Sequence, residues 1–97
     1  MLESNFQNKI LIQNIMRRFP GAIIVKPDET YIRSFPDRII LYGDRWAALE
    51  TKRERLAGKR PNQEFYINLL NRMSFGRFIN PENMEDILNE MEYALQP

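Results

Sequence analysis

The sequence predicts a single α/β domain over residues 1–97, with a central mixed sheet flanked by helices in the order α-β-β-β-α-β-α. Two observations carry this prediction. Apolar residues recur at helical spacing in three stretches, near residues 3–19, 61–73 and 81–95. Between them lie short β-branched or apolar runs bounded by glycine, proline and aspartate. A third observation bounds the answer: no repeat, low-complexity tract or linker divides the 97 residues, a length at which one domain buries roughly 60–65% of its unfolded surface.

Glu3 to Phe19 reads as an amphipathic helix, with Leu11, Ile12, Ile15, Met16 and Phe19 on one side and Glu3 and Gln7 four apart on another. Pro20-Gly21 ends it, and Ala22-Ile23-Ile24-Val25 has the composition of a buried strand. Pro27 to Ser34 is a loop of polar and turn-forming residues. Arg38 to Tyr42 and Trp46 to Leu49 form a hairpin about Gly43-Asp44, glycine supplying the positive φ that a two-residue turn needs. Arg53 to Arg60 is basic, contains Gly58 and reads as an exposed loop. Pro61 opens a second helix, where Phe65, Leu69 and Met73 recur at spacing four with Tyr66 and Leu70 beside them. Phe75 to Ile79 is a fourth strand. Asn80-Pro81-Glu82 then starts the last helix, because Asn caps, Pro suits the first helical position and Glu favours the positive end of the dipole. Met84, Ile87, Leu88, Met91 and Leu95 form the buried stripe of that helix.

Composition narrows the chemistry. With no cysteine and no histidine, the chain excludes Ser-His-Asp and Cys-His nucleophile systems, zinc fingers, zinc hydrolases and redox thiol pairs. Carboxylates, lysine, hydroxyls, amides and a hard cation remain. No stretch approaches a membrane span, and Met1-Leu2-Glu3-Ser4-Asn5 lacks the features of a signal peptide, so the expected compartment is the cytoplasm.

The hairpin then gives those residues a place. If Gly43-Asp44 is the whole loop, Tyr42 pairs with Arg45, and continuing that register sets Asp37 directly opposite Glu50. Cβ atoms of such partners lie about 4.5–5.5 Å apart, so two like charges there need a positive group between them. Lys52, two residues beyond Glu50, leaves the same face of its strand. Two carboxylates and an ammonium group suit Mg²⁺, an ion that takes oxygen ligands and keeps waters for phosphate. The reaction class that follows is metal-dependent phosphodiester hydrolysis. Standing alone, the same residues also fit a turn cap and a surface ion pair worth about 0–1 kcal/mol.

Pro36-Asp37, twelve intervening residues and Glu50-Thr51-Lys52 resemble the P-D…(D/E)-x-K signature of the PD-(D/E)XK nuclease superfamily, and the element order resembles its restriction-endonuclease-like core. Phe35-Pro36-Asp37-Arg38-Ile39, Ala48-Leu49-Glu50-Thr51-Lys52 and Pro61-Asn62-Gln63 are most similar to the minimal VRR-NUC type, which occurs in stand-alone phage proteins and in larger repair enzymes. Ser34 stands where relatives often have glycine. The resemblance implies a Mg²⁺- or Mn²⁺-dependent DNA endonuclease with Asp37, Glu50, Glu3 and the backbone carbonyl of Thr51 around the metal. It gives Lys52 and Gln63 to the catalytic set and leaves Gln7 as the alternative to Glu3 on the same helix face. It further implies a homodimer selective for branched DNA such as Holliday junctions, working in the host cytoplasm if phage-encoded. A nuclease for single-stranded, nicked or flap DNA, and a non-catalytic nucleic-acid-binding or inhibitory protein, are the alternatives.

Charge supports a nucleic-acid partner. Residues 45–80 carry eight basic and three acidic side chains, whereas residues 81–97 carry five acidic and no basic ones. Arg53, Arg55, Lys59 and Arg60 follow the Glu50–Lys52 strand, and Tyr31 and Arg33 lie in the loop before Pro36, where they can meet phosphates flanking a scissile bond. Trp46, at the start of an apolar strand, fits a core or a dimer interface better than it fits a base.

Overall fold

A computed structural model describes residues 5–52 and 61–96. It shows a mixed α/β fold with a four-stranded mixed sheet and three helices among the described residues. Glu3, Arg53, Arg55, Lys59 and Arg60 lie outside those residues.

The first helix, α1, begins as a π-helical turn over Phe6–Leu11 and runs into an α-helix over Ile12–Arg18. The wide turn explains which side chains reach the core. Phe6 and Leu11 are five apart and both fully buried, a spacing that π geometry aligns and α geometry does not. Leu11, Ile15 and Phe19 continue that stripe, while Met16, expected beside them, is exposed. Burying side chains of this size contributes about 1.5–3 kcal/mol each.

The strands are β1 (Ile23–Val25), β2 (Arg38–Tyr42), β3 (Arg45–Thr51) and β4 (Gly76–Ile79), adjacent in that order. The β1–β2 and β2–β3 pairs are antiparallel and β3–β4 is parallel. Tyr42 pairs with Arg45 and Arg38 with Leu49, the register that a Gly43-Asp44 loop requires. Gly43 has φ 64° whereas Asp44 keeps a negative φ, the arrangement of a type II′ turn. The turn length therefore sets which side chains meet at the far end of the hairpin.

Helix α2 spans Pro61–Met73 and α3 spans Met84–Leu95. One face of the sheet, with Ile40, Ala47, Leu49 and Ile79, packs on Phe6, Leu11, Ile15 and Phe19 of α1 and on Ile87, Leu88, Met91 and Leu95 of α3. Met84 is half-buried against this core. Helix α2 lies on the other face beside β3 and β4. Its approach to β4 is so close that a Cβ on Gly76 would stand 2.7 Å from the Ile67 carbonyl oxygen, which only glycine avoids.

Three expectations about packing change. β1 is an edge strand with Ile23 and Val25 exposed, because α2 covers the β3–β4 half of its face and not the β1–β2 half. The buried residues of α2 are Ile67 and Leu70, and Phe65 and Met73 of the expected stripe point outward. The last helix starts at Met84 and not at Pro81. Asn80 and Asn83 accept each other's backbone N–H at 2.8 Å, closing a turn that holds Pro81 outside the helix. The acidic C-terminal segment is partly matched from elsewhere: Arg18 pairs with Glu85 and Glu92, and Arg77 pairs with Glu90. Among the described residues, no helix is long and apolar enough to cross a membrane.

Candidate active site

The hairpin register, carried one step beyond Arg38 and Leu49, sets Asp37 opposite Glu50. Both line a cleft of about 610 Å³ with Glu29, Thr30, Arg33, Ser34, Phe35, Asn62 and Gln63. Pro36, fully buried, anchors the chain just before Asp37. Ser34 adopts φ 65°, the left-handed region that glycine enters freely, and so turns the loop toward that anchor.

The two carboxylates are held by different partners. Asp37 Oδ2 accepts from the Thr51 backbone N–H at 2.8 Å and from the Thr51 hydroxyl at 2.5 Å. Its Oδ1 has no hydrogen bond among the described residues. Thr51 is fully buried, and its hydroxyl also accepts from the Gln7 amide at 2.7 Å. Gln7 thus reaches the site from α1 through Thr51, and the π-helical turn positions it. Glu50 is only 5% exposed and accepts from Gln63 Nε2 at 3.0 Å. The other end of the same amide, Gln63 Oε1, accepts from Lys52 Nζ at 2.7 Å.

This differs in detail from an ammonium group placed between two carboxylates. Gln63 stands between Lys52 and Glu50, accepting from the first through its amide oxygen and donating to the second through its amide nitrogen. The ammonium also lies 5.9 Å from the centre of the Phe78 ring, a favourable cation–π approach. Its strand is fixed by the Lys52 N–H donating to the Ile79 carbonyl at 2.8 Å. Next to the cleft, Arg38 is buried and donates to Asn8 Oδ1 at 2.8 Å and to the Asp37 carbonyl at 3.1 Å. Burial pulls its guanidinium below the ordinary arginine value, and the Asp37 carboxylate pushes the other way.

Compared with protein-family models, with curated proteins and with solved structures, the chain matches none.

The donor set fits a hard divalent cation. Among the described residues no three His, Cys, Asp or Glu side chains converge to hold a metal unaided, but Asp37 and Glu50 share one cleft, and Mg²⁺ is commonly held by one or two carboxylates with water and substrate phosphate. Thr51 contributes a side-chain role that strand alternation hid, since its side chain leaves β3 on the face opposite Glu50 and Lys52. A buried β-branched alcohol between two charged residues was the available signal. Asn62 also lines the cleft, and its place beside Gln63 in the first turn of α2 is the hint for it. Arg33 lies exposed at the cleft.

Proposed function

We propose that the chain is a metal-dependent DNA endonuclease of the PD-(D/E)XK kind, most similar to VRR-NUC nucleases, with a restriction-endonuclease-like core. The carrying observation is the convergence of Asp37, Glu50 and Gln63 on one cleft, with Lys52 hydrogen-bonded to Gln63, through a single hairpin register and the first turn of α2.

Asp37 and Glu50 are the residues to hold Mg²⁺ or Mn²⁺, with the Thr51 carbonyl and Glu3 as further ligands in this reading. Such a cation supplies Lewis-acid polarisation of the phosphate and a more acidic water. The chain's own groups do the rest. Thr51 keeps Asp37 Oδ2 occupied, so Oδ1 faces the ligand in one orientation. Gln63 fixes Glu50 and Lys52 relative to each other. Lys52 orients the attacking water and offsets negative charge as it develops on phosphorus. Water adds to phosphorus, one P–O ester bond breaks, and the products are a phosphomonoester and a hydroxyl. Arg33, with Arg53, Arg55, Lys59 and Arg60 of the basic segment, is assigned to the flanking phosphates.

A homodimer acting on branched DNA, such as a Holliday junction, is the assembly this reading favours. Support comes from Ile23, Val25 and Leu41, apolar and exposed on the half of the sheet that α2 leaves open. Cleavage of a four-way junction, a flap and a linear duplex with Mg²⁺ or Mn²⁺ tests the function. Activity should disappear in Asp37→Asn, Glu50→Gln and Lys52→Ala. Activity that survives in all three removes the site assignment, and a monomer under cleaving conditions removes paired cutting.

A further inference from the structure

A second cleft, of about 620 Å³, adjoins the first and is lined by Tyr31, Ile32, Arg33, Asn62, Phe65 and Tyr66. Arg33 and Asn62 line both, so the two clefts share a wall. The volume of the second falls within the range that small ligands occupy. Its wall carries the rings of Tyr31, Phe65 and Tyr66: Phe35, in the first cleft, meets Tyr66 edge-on at 5.5 Å, and Tyr66 meets Phe65 edge-on at 5.2 Å. Tyr31 is 85% exposed and Phe65 is 57% exposed, so neither ring serves the core. The loop carrying Tyr31 is tied down by Asp28, whose Oδ1 accepts from the Thr30 N–H at 2.9 Å and the Thr30 hydroxyl at 2.8 Å, and whose carbonyl accepts from the Tyr31 N–H at 3.1 Å.

Exposed rings beside an arginine that makes no ion pair among the described residues match one occupant in particular. The flat faces of DNA bases are covered by their neighbours inside a continuous duplex, whereas an unpaired nucleotide offers one to a protein ring without the cost of unstacking a paired step. Arg33 supplies the cation for the adjoining phosphate, and the Asn62 amide can meet a base edge as donor or acceptor.

We propose that Tyr31, Phe65, Arg33 and Asn62 form a subsite for an unpaired nucleotide of the DNA substrate, next to the phosphate to be cut. The inference deepens the nuclease reading and rests on it only in taking the neighbouring cleft as the place of phosphate chemistry. The enzyme then selects DNA with a single-stranded element, a tail, gap or unstacked branch point, over continuous duplex.

Equilibrium binding of labelled DNA with metal omitted, so that no strand is cut, tests this directly. The probes are a blunt duplex, the same duplex with a short single-stranded tail, and that tail made abasic. Stacking on one aromatic side chain changes affinity by about five-fold to over a hundred-fold, so the tail should bind about ten-fold or more tighter than blunt or abasic DNA. Tyr31→Ala and Phe65→Ala should each weaken tail binding about ten-fold, while Tyr31→Phe and Phe65→Tyr keep it. Met73→Ala, exposed at the far end of α2, should change nothing. Equal affinity of wild-type protein for tailed, abasic and blunt DNA overturns the subsite without any variant. So does self-association lost in Phe65→Ala with DNA affinity unchanged, which gives the groove to a second copy. Tail binding without metal-dependent cleavage of any probe overturns the nuclease reading and leaves the subsite standing, whereas cleavage without tail preference does the reverse.

Discussion

Thr51→Val isolates one polar group in a packed place. The two side chains have nearly the same shape and Thr51 is fully buried, so no cavity opens and the change is confined to the hydroxyl. Two bonds go: the 2.5 Å bond to Asp37 Oδ2 and the 2.7 Å bond from Gln7 Nε2. A hydrogen bond to a charged group contributes about 1.5–3 kcal/mol and a neutral one about 0.5–1.5 kcal/mol. Asp37 keeps the Thr51 backbone N–H at 2.8 Å, and half-buried Gln7 can regain water, so the net loss should be near 2 kcal/mol. For a chain of 97 residues that lowers Tm by about 8–16 °C. Cleavage reads the second consequence. With Asp37 freed to rotate, kcat for DNA hydrolysis should fall about ten-fold, equivalent to about 1.4 kcal/mol of barrier, with KM little changed. Thr51→Ser restores both bonds and should recover kcat. Scanning calorimetry and steady-state cleavage of one DNA probe supply the measurements. Full stability in Thr51→Val, or Thr51→Ser no more active than Thr51→Val, would refute the reasoning.

Gln63→Leu removes the amide joining Glu50 to Lys52 and should lower kcat about ten-fold or more; an effect borne wholly by KM would contradict a positioning role. Ser34→Gly should raise stability by about 0.5–1 kcal/mol in urea titration, because Ser34 holds φ 65° and makes no side-chain hydrogen bond among the described residues; a lower midpoint would show that the strain assigned there is absent. Asp28 is fully exposed, and hydrogen bonds first from the Thr30 N–H and then from its hydroxyl hold its carboxyl below the ordinary carboxylate value. A depressed folded-state pKa adds stability that is present above the unfolded value, about 3.9, and is lost as pH falls through the folded one. The Thr30 amide resonance should therefore titrate with a midpoint below that value, and a midpoint at or above it would show that the turn is not held by the ionised form.

How much of this was legible in the sequence depended on how local the cause was. The hairpin was readable because a two-residue loop led by glycine allows one register, and that register then carries to residues 37 and 50 by simple alternation. The buried stripe of α3 was readable because four of its apolar positions repeat at α spacing and all face one core. α spacing alone does not phase helix α1 correctly at Met16, because a π-helical turn widens the spacing between Phe6 and Leu11. The orientation of α2 is not legible in the sequence because periodicity reports an apolar face without saying whether protein or solvent meets it, and Phe65 and Met73 are exposed. Resemblance points to Gln63, but its amide joins two charged groups only because α2 lies beside β3.

By itself, then, the sequence determined the order of elements, the one hairpin register, and a chemistry restricted to oxygen donors and lysine, because turn geometry, alternation and composition act over neighbouring residues. Only the tertiary structure decided that Thr51 and Gln7 brace Asp37, that Gln63 stands between Glu50 and Lys52, and that the rings of Tyr31 and Phe65 face solvent beside the cleft. Those facts depend on how helices seat on the two faces of the sheet, and that is set by the summed packing of residues far apart in the chain.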